Sequence, residues 1–238
     1  MVGKATIQVQ IPMLRCTLFD YWDQKSAYLY GFWLADGCIF TRYKNNKIYK
    51  YVSVGSLDEE AIIMFANEWG TLLNIRHIAG GLYYQTELWS EHLYDRCLEL
   101  AGVTHKSKAE PRLPDIPTSL LPHFVRGFFD GDGSIYWVNS TNRHGNRSAW
   151  LQSSFTAGKG TGQFLHNLQN LLVAEVGVSR RKITGKHHQK LILGQYDTKL
   201  LCEWMYAEGT IFLSRKKAIW DAADKTKLAA SIKYRAKT

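Results

Sequence analysis

Apolar residues recur at helical spacing in two stretches of this chain that share one design. Leu29 to Gly37 (LYGFWLADG) and Val125 to Gly133 (VRGFFDGDG) each run as an apolar helical segment, a Gly, a small residue four places on, and a closing Asp-Gly. In each copy the small pair, Gly31 with Ala35 and Gly127 with Gly131, lies at i and i+4, hence on one helix face. Such a stripe lets two helix backbones approach closely, so the copies are expected to pack against each other. Gly37 and Gly133 are expected to supply the left-handed residue that ends each helix, leaving Asp36 and Asp132 in the last turns. The aromatic residues around them, Tyr28, Tyr30, Phe32 and Trp33 with Phe128 and Phe129, read as core.

The pattern after each copy repeats as well. Alternation predicts strands at Cys38 to Tyr43 and Lys47 to Val54, joined by a turn at Lys44, Asn45 and Asn46. Asp58 is placed to cap a helix running to Thr71, with Ile62, Phe65, Trp69 and Leu72 at helical spacing. Strands follow around Asn74 to Ala79 and Leu82 to Trp89, turning at Gly80-Gly81, and a helix from Ser90 to Ala101 closes the half. Pro111, Pro114 and Pro117 interrupt regular structure, so 103–118 reads as a linker between a first half, 1–102, and a second, 119–238. There the order recurs: a motif helix from Ser119, strands at Ser134 to Ser140 and Ser148 to Thr156, and a helix from Thr161 to Val176. Strands at Val178 to Thr184 and Gln189 to Gln195, then a helix from Asp197 to Ala207, complete it. Lys216 to Lys227 reads as a final helix with a basic tail, and residues 1–20 as an added strand or arm. Helices alternating with paired strands argue for α+β subdomains with antiparallel sheets.

Composition narrows the partners. The 238 residues carry a formal charge of +9, which implies a surface that attracts polyanions. Cys16, Cys38, Cys97 and Cys202 are scattered without a Cys-x-x-Cys pair, which argues against a zinc module or a disulfide framework and for a reducing compartment. No apolar run approaches the roughly 18 residues of a membrane span, and no secretory leader pattern opens the chain. The expected setting is therefore intracellular, in cytoplasm or an organelle matrix.

The duplicated Asp-Gly carries the chemistry. An Asp in the last turn faces the negative end of the helix dipole, and two such ends side by side call for a cation. Hard oxygen donors without Cys or His neighbours suit Mg²⁺ better than Zn²⁺. His77, His187 and His188 lack ligand spacing, and an EF-hand reading of Asp130 to Thr141 fails because Ile135 and Thr141 stand where Gly and Glu belong.

Both segments resemble the LAGLIDADG motif of homing endonucleases, and their duplication resembles the single-chain, two-motif form, from about Ser26 to about Ala222. The second copy matches well. The first departs where Leu34 replaces the earlier acid, whose counterpart is Asp130. The resemblance implies two pseudo-symmetric αββαββα subdomains whose sheets form a DNA-binding saddle, and a monomer that cuts both strands of a long duplex site. It further implies Asp36 and Asp132 as metal-binding catalytic acids, the carbonyls of Ala35 and Gly131 as added ligands, and Lys106 and Lys216 as catalytic lysines, with Lys108 and Lys217 as alternatives in register. A water-positioning polar residue would fall near Ser56 and near Gly158, which has no side chain to offer. Mg²⁺ is the expected cofactor, Mn²⁺ a substitute, and Ca²⁺ an ion that binds without supporting cleavage. An opening Met without flanking splicing motifs suits an intron-encoded or free-standing protein.

The strands supply the expected DNA contacts: Arg42, Lys44, Lys47, Tyr49, Lys50, Tyr83 and Gln85 in the first half. In the second they are Tyr136, Asn139, Asn142, Arg143, Arg147, Arg180, Lys182, Lys186, His188 and Lys190. A β-ribbon fits the major groove, where such side chains read base edges or neutralise phosphates. The alternative is a DNA- or RNA-binding protein on the same scaffold without catalysis, a maturase or transcription regulator; two repelling carboxylates at one interface argue against it.

Overall fold

The computed structural model describes residues 16–104, 109–141, 143–145, 147–158, 162–185 and 188–223. The first half comprises helix α1 (Gln24–Asp36), strands β1 (Gly37–Lys44) and β2 (Lys47–Ser56), helix α2 (Glu59–Trp69), strands β3 (Arg76–Ile78) and β4 (Tyr83–Trp89), and helix α3 (Glu91–Ala101). The second comprises α4 (Leu121–Asp132), β5 (Gly133–Thr141), β6 (Arg147–Ala157), α5 (Gly162–Val176), β7 (Gln189–Leu193), α6 (Gln195–Tyr206) and α7 (Ser214–Asp221). Each half builds one antiparallel sheet, ordered β1-β2-β4-β3 and β5-β6-β7. Among the described residues no helix is long and apolar enough to cross a membrane.

Local chemistry explains the boundaries. Asp23 and Ser26 form a reciprocal capping box that starts α1, each side chain taking the other's backbone N–H. Asn45 and Asn46 both adopt positive φ, 51° and 58°, as a two-residue hairpin turn between β1 and β2 requires. Gly70, in the left-handed conformation, ends α2 and leaves Leu72 beyond it, half exposed. The second motif helix starts at Leu121 with Pro122 in its first turn, after a single 3-10 turn over Thr118–Leu120.

The centre of the molecule is α1 against α4, the most extensive contact between any two elements. The small-residue stripes are what bring them together. A Cβ on Gly31 would lie 2.1 Å from the Phe124 carbonyl oxygen, and one on Gly127 would lie 1.9 Å from that of Tyr28. Both helices are buried along most of their length, and their aromatic residues reach into the core of each half, where Phe32 meets Phe65 and Phe128 meets Phe155 and Phe164.

The structure departs from expectation at the motif glycines and at one strand. Gly37 and Gly133 are extended, at φ −89° and −95°, and so are not left-handed caps. Each is a glycine because a Cβ would sit 2.1 Å from the Trp33 ring or 2.3 Å from the Phe129 ring, and the chain passes from helix directly into strand. The strand expected at Val178 to Thr184 is reduced to an isolated bridge between Thr184 and Lys190. Its backbone donors are drawn elsewhere: Ser179 N–H to the buried carboxylate of Asp197, and Arg181 N–H to Gln169 Oε1. Arg181 also donates from its guanidinium to Asp197, so the segment is fastened to helices α5 and α6. Of the expected arm, residues 1–15 lie outside the described residues and 16–20 form a turn; the final helix expected at Lys216 to Lys227 runs instead over Ser214–Asp221 with Ala222 as its C-cap, and 224–238 lie outside the described residues.

Candidate active site

Helices α1 and α4 end side by side. Ala35 and Gly131 meet so closely that a Cβ on Gly131 would lie 2.3 Å from the Ala35 Cβ and 3.5 Å from Asp36 Oδ2. The carboxylate at the end of one motif helix therefore rests against the last turn of the other, one residue before Asp132.

Lys216, in the first turn of α7, closes the end of α4. Its ammonium donates to the carbonyls of Phe129 (2.7 Å), Asp130 (2.7 Å) and Gly133 (2.6 Å), and the side chain is buried. Three donors on three acceptors satisfy the ammonium and reach two of the last four carbonyls of α4. Burial pushes Lys216 down to about 8, against the pull of Asp130 and Asp36. Burial pushes Asp130 up to about 6, while the Leu213 N–H, Lys216 and the Tyr28 hydroxyl favour its ionised form. The three carbonyl acceptors around Lys216 call for all three protons of the ammonium form. Lys217, the alternative in register, pairs instead with Asp221 over the rings of Tyr206 and Phe212. Lys106 and Lys108 lie outside the described residues.

On the first sheet, strand alternation and register put Arg42, Lys44, Lys47, Tyr49, Tyr83 and Gln85 on the face turned away from the helices. Lys44 and Lys47 are direct cross-strand neighbours. Like charges in that position are unfavourable without an anion between or above them. Arg42 lies over Phe40 and Tyr51 and donates both terminal nitrogens to Glu87, which also pairs with Arg76. Lys50 alternates to the helix side, where it reaches Asp95 and lies over Tyr94, so it is not on the face of its neighbour Tyr49. The Tyr83 hydroxyl lies over Gly55, where a Cβ would be 2.3 Å away. Burial, and then the nearby Asp36 carboxylate, raise its phenol.

On the second sheet Tyr136 and Lys190 share the outward face, with Tyr136 donating to Gln152. Asn139 and Arg147 alternate to the other face at the fully exposed end of the β5–β6 hairpin, beside Arg143 in its turn. Arg180 is tied to Asn170 on α5, and Lys182 lies in the segment that does not form a strand. His188 is exposed just before β7. Asn142 and Lys186 fall outside the described residues. Ser56 accepts the Asp58 N–H and so serves the start of α2, and at Gly158 a Cβ would meet open space.

No protein-family model matches the chain, and no curated protein matches it. Solved structures do. The I-LtrWI LAGLIDADG homing endonuclease bound to target DNA aligns with TM-score 0.58, 10% identity, and coverage of 83% of this chain and 88% of its own. The LAGLIDADG meganuclease I-AabMI bound to uncleaved DNA gives 0.59 at 16% identity over 88% and 92%. I-SmaMI bound to cleaved DNA gives 0.57 at 16% over 84% and 87%. This chain has the fold of the LAGLIDADG homing endonucleases. The two motif helices at its centre and the two antiparallel sheets are the elements that fold requires.

Within this LAGLIDADG fold the donor set suits a hard divalent cation. Among the described residues no group of three or more His, Cys, Asp or Glu side chains is gathered as a closed metal cage. What the helix ends offer is one carboxylate each plus backbone carbonyls, an all-oxygen set that suits Mg²⁺, which keeps several waters. Sequence reasoning missed three contributors: Glu87, which ties Arg42 to Arg76, and the carboxylates of Asp58 and Glu60, which reach Arg215 and Ser214 across the molecule. The only sequence signal for the last two was their position at a helix N-terminus, where acids are ordinarily read as serving that helix alone.

Proposed function

We propose that the protein is a site-specific endonuclease that hydrolyses both strands of duplex DNA with divalent metal held by Asp36 and Asp132. One observation carries the reading: the close approach of α1 and α4 sets the Asp36 carboxylate against Gly131, beside Asp132. Nothing in helix packing requires two like-charged groups at such a seam, and a bound cation would relieve them. Asp36 and Asp132, with the carbonyls of Ala35 and Gly131, would hold Mg²⁺. Bound there, the metal supplies an activated water and stabilises the leaving oxygen.

The chain's own groups do the rest. Lys216 holds a buried positive charge beside the acids without depending on solvent, and in a site of low dielectric that charge favours the anionic phosphate as it gains negative charge. Arg42, Lys44, Lys47 and Tyr49 on the first outward face, with Tyr136 and Lys190 on the second and Arg143 and Arg147 at the exposed end of the β5–β6 hairpin, would follow the groove and its phosphates. A single chain carries both acids, so a monomer suffices.

The test is cleavage of a target-library plasmid in Mg²⁺, Mn²⁺, Ca²⁺ and EDTA. Linear product is expected with Mg²⁺ or Mn²⁺ only, and Ca²⁺ should support binding alone. Asp36→Asn and Asp132→Asn should each abolish double-strand cleavage while target affinity stays within about tenfold, or about 1.4 kcal/mol. A gel shift with no cleavage under any metal would select a DNA-binding protein instead, and full cleavage by either variant would remove the site assignment.

A further inference from the structure

Helix α7 opens with Ser214-Arg215-Lys216-Lys217, three cations at the positive end of a helix dipole. Its N-cap, Leu213, has no side chain able to accept a hydrogen bond. By local rules this is a poor place to begin a helix. The missing acceptors come from elsewhere. Glu60 takes the Ser214 backbone N–H and the Ser214 hydroxyl, both at 2.8 Å, and Asp130 takes the Leu213 N–H at 2.8 Å. Asp58 receives Arg215 through Nε at 2.5 Å and Nη2 at 2.7 Å.

Asp58 is the N-cap of α2 yet makes no capping bond to its own helix, and the Ser56 hydroxyl accepts the Asp58 N–H. Its carboxylate faces the other half of the chain, more than 150 residues away in sequence. Lys216 then follows, one residue after Arg215, with its ammonium on three carbonyls at the end of α4.

We propose that Asp58 and Glu60 of the first half are positioning residues for Lys216 of the second, acting as a cross-molecule cap that starts α7 and delivers the lysine to the end of α4. The consequence for cleavage rests on the endonuclease reading; the placement of Lys216 does not. Such a cap makes the lysine of one half dependent on the other half being folded and docked against it.

The experiment uses the full chain with Asp58→Asn and Glu60→Gln, singly and together. Acylation of Lys216 by an amine-reactive ester is followed by mass spectrometry, with exposed Lys47 as the internal reference. In the double variant Lys216 should label about tenfold faster or more, an opening of about 1.4 kcal/mol, while Lys47 is unchanged. Single-turnover cleavage in Mg²⁺ should fall by about tenfold while affinity in Ca²⁺ stays within about threefold, a split that general loosening of the fold would not give. Exchanging the pair, Asp58→Arg with Arg215→Asp, should restore slow labelling relative to Asp58→Arg alone. If the double variant does not fold, that exchange decides by the same readout. Unchanged Lys216 labelling in a folded double variant, or no rescue by the exchange, overturns the proposal. Faster labelling in a protein whose wild type cuts no DNA leaves the cap standing and removes the nuclease reading.

Discussion

The two motif helices are alike on the face they share and different on the face they turn outward. On α4, His123, Arg126 and Asp130 line one side; at the corresponding places on α1 stand Ala27, Tyr30 and Leu34. In the first half that side is covered by rings, with Phe19 and Trp22 packed edge-on to Tyr30 at 5.3 and 5.6 Å. In the second it is covered by the segment between α6 and α7, held by polar contacts. Arg126 donates to the carbonyls of Met205 and Ile211 and to His123 Nδ1, and Asp130 accepts from Leu213 and from Tyr28. Gly209 is part of this fit, since a Cβ there would lie 2.6 Å from the Arg126 guanidinium. The close-packed face admits almost no change, because backbone meets backbone. The outward face was free to diverge, and in the second half it fixes the segment that carries Lys216.

Arg126 is the sharpest way to break this difference. It is 1% exposed and satisfies the Met205 carbonyl in the last turn of α6 and the Ile211 carbonyl of the α6–α7 segment. Arg126→Met should cost about 3–5 kcal/mol, the range for removing one member of a buried charged network. In a chain of this size that is roughly 10 °C in melting midpoint by calorimetry. Cleavage should fall further than stability alone accounts for, because Leu213 to Lys216 lose their anchor. A shift below about 1 kcal/mol would mean that the segment is held by its apolar contacts, as in the first half.

Much of this was legible in the chain itself. The duplicated small-residue stripes predicted the α1–α4 contact, and alternation located all seven observed strands to within about two residues at each end, while an eighth expected strand, at 178–184, did not form. What stayed hidden depends on partners distant in sequence. Nothing local distinguishes Asp58 as the partner of Arg215, or Asp197 as the acceptor that keeps residues 179–181 out of the second sheet. Lys50 was recoverable, since adjacent residues in a strand cannot share a face and so Tyr49 and Lys50 cannot both meet the same partner. The capping role given to Gly37 and Gly133 failed for a different reason: helix-ending glycines are usually chosen for their φ, whereas these two are set by the aromatic ring behind them.

A smaller effect separates the halves by pH. His123 is buried and accepts from Arg126, and burial together with that guanidinium lowers its pKa below the ordinary histidine value. The unfolded chain takes up a proton near pH 6.5 that the folded chain refuses, so stability falls as pH drops below about 6.5 toward the depressed folded value. His123→Gln keeps an acceptor for Arg126 and removes the titration. Urea denaturation at pH 7.5 and pH 5 should show a smaller acid loss in the variant than in the wild type. An identical loss would place the acid sensitivity elsewhere, and the corresponding Ala27 in the first half has no such term to lose.

The smallest expected change lies at Tyr30, the counterpart of Arg126, and it has the opposite sign. The Tyr30 ring packs against Phe19, Trp22 and Phe124, but among the described residues its buried hydroxyl has no hydrogen-bond partner. A desolvated hydroxyl without a partner works against the folded state, whereas the ring around it contributes dispersion and burial that phenylalanine retains. Tyr30→Phe should therefore leave stability unchanged or raise it by up to about 1 kcal/mol, measured by the urea midpoint at constant m-value. A neutral outcome is not expected for Arg126→Met, because it would strip the donor from two buried acceptors, the Met205 carbonyl and His123 Nδ1. Destabilisation by more than about 1 kcal/mol on Tyr30→Phe would show that this hydroxyl has a hydrogen-bond partner and that both outward faces are built on polar networks.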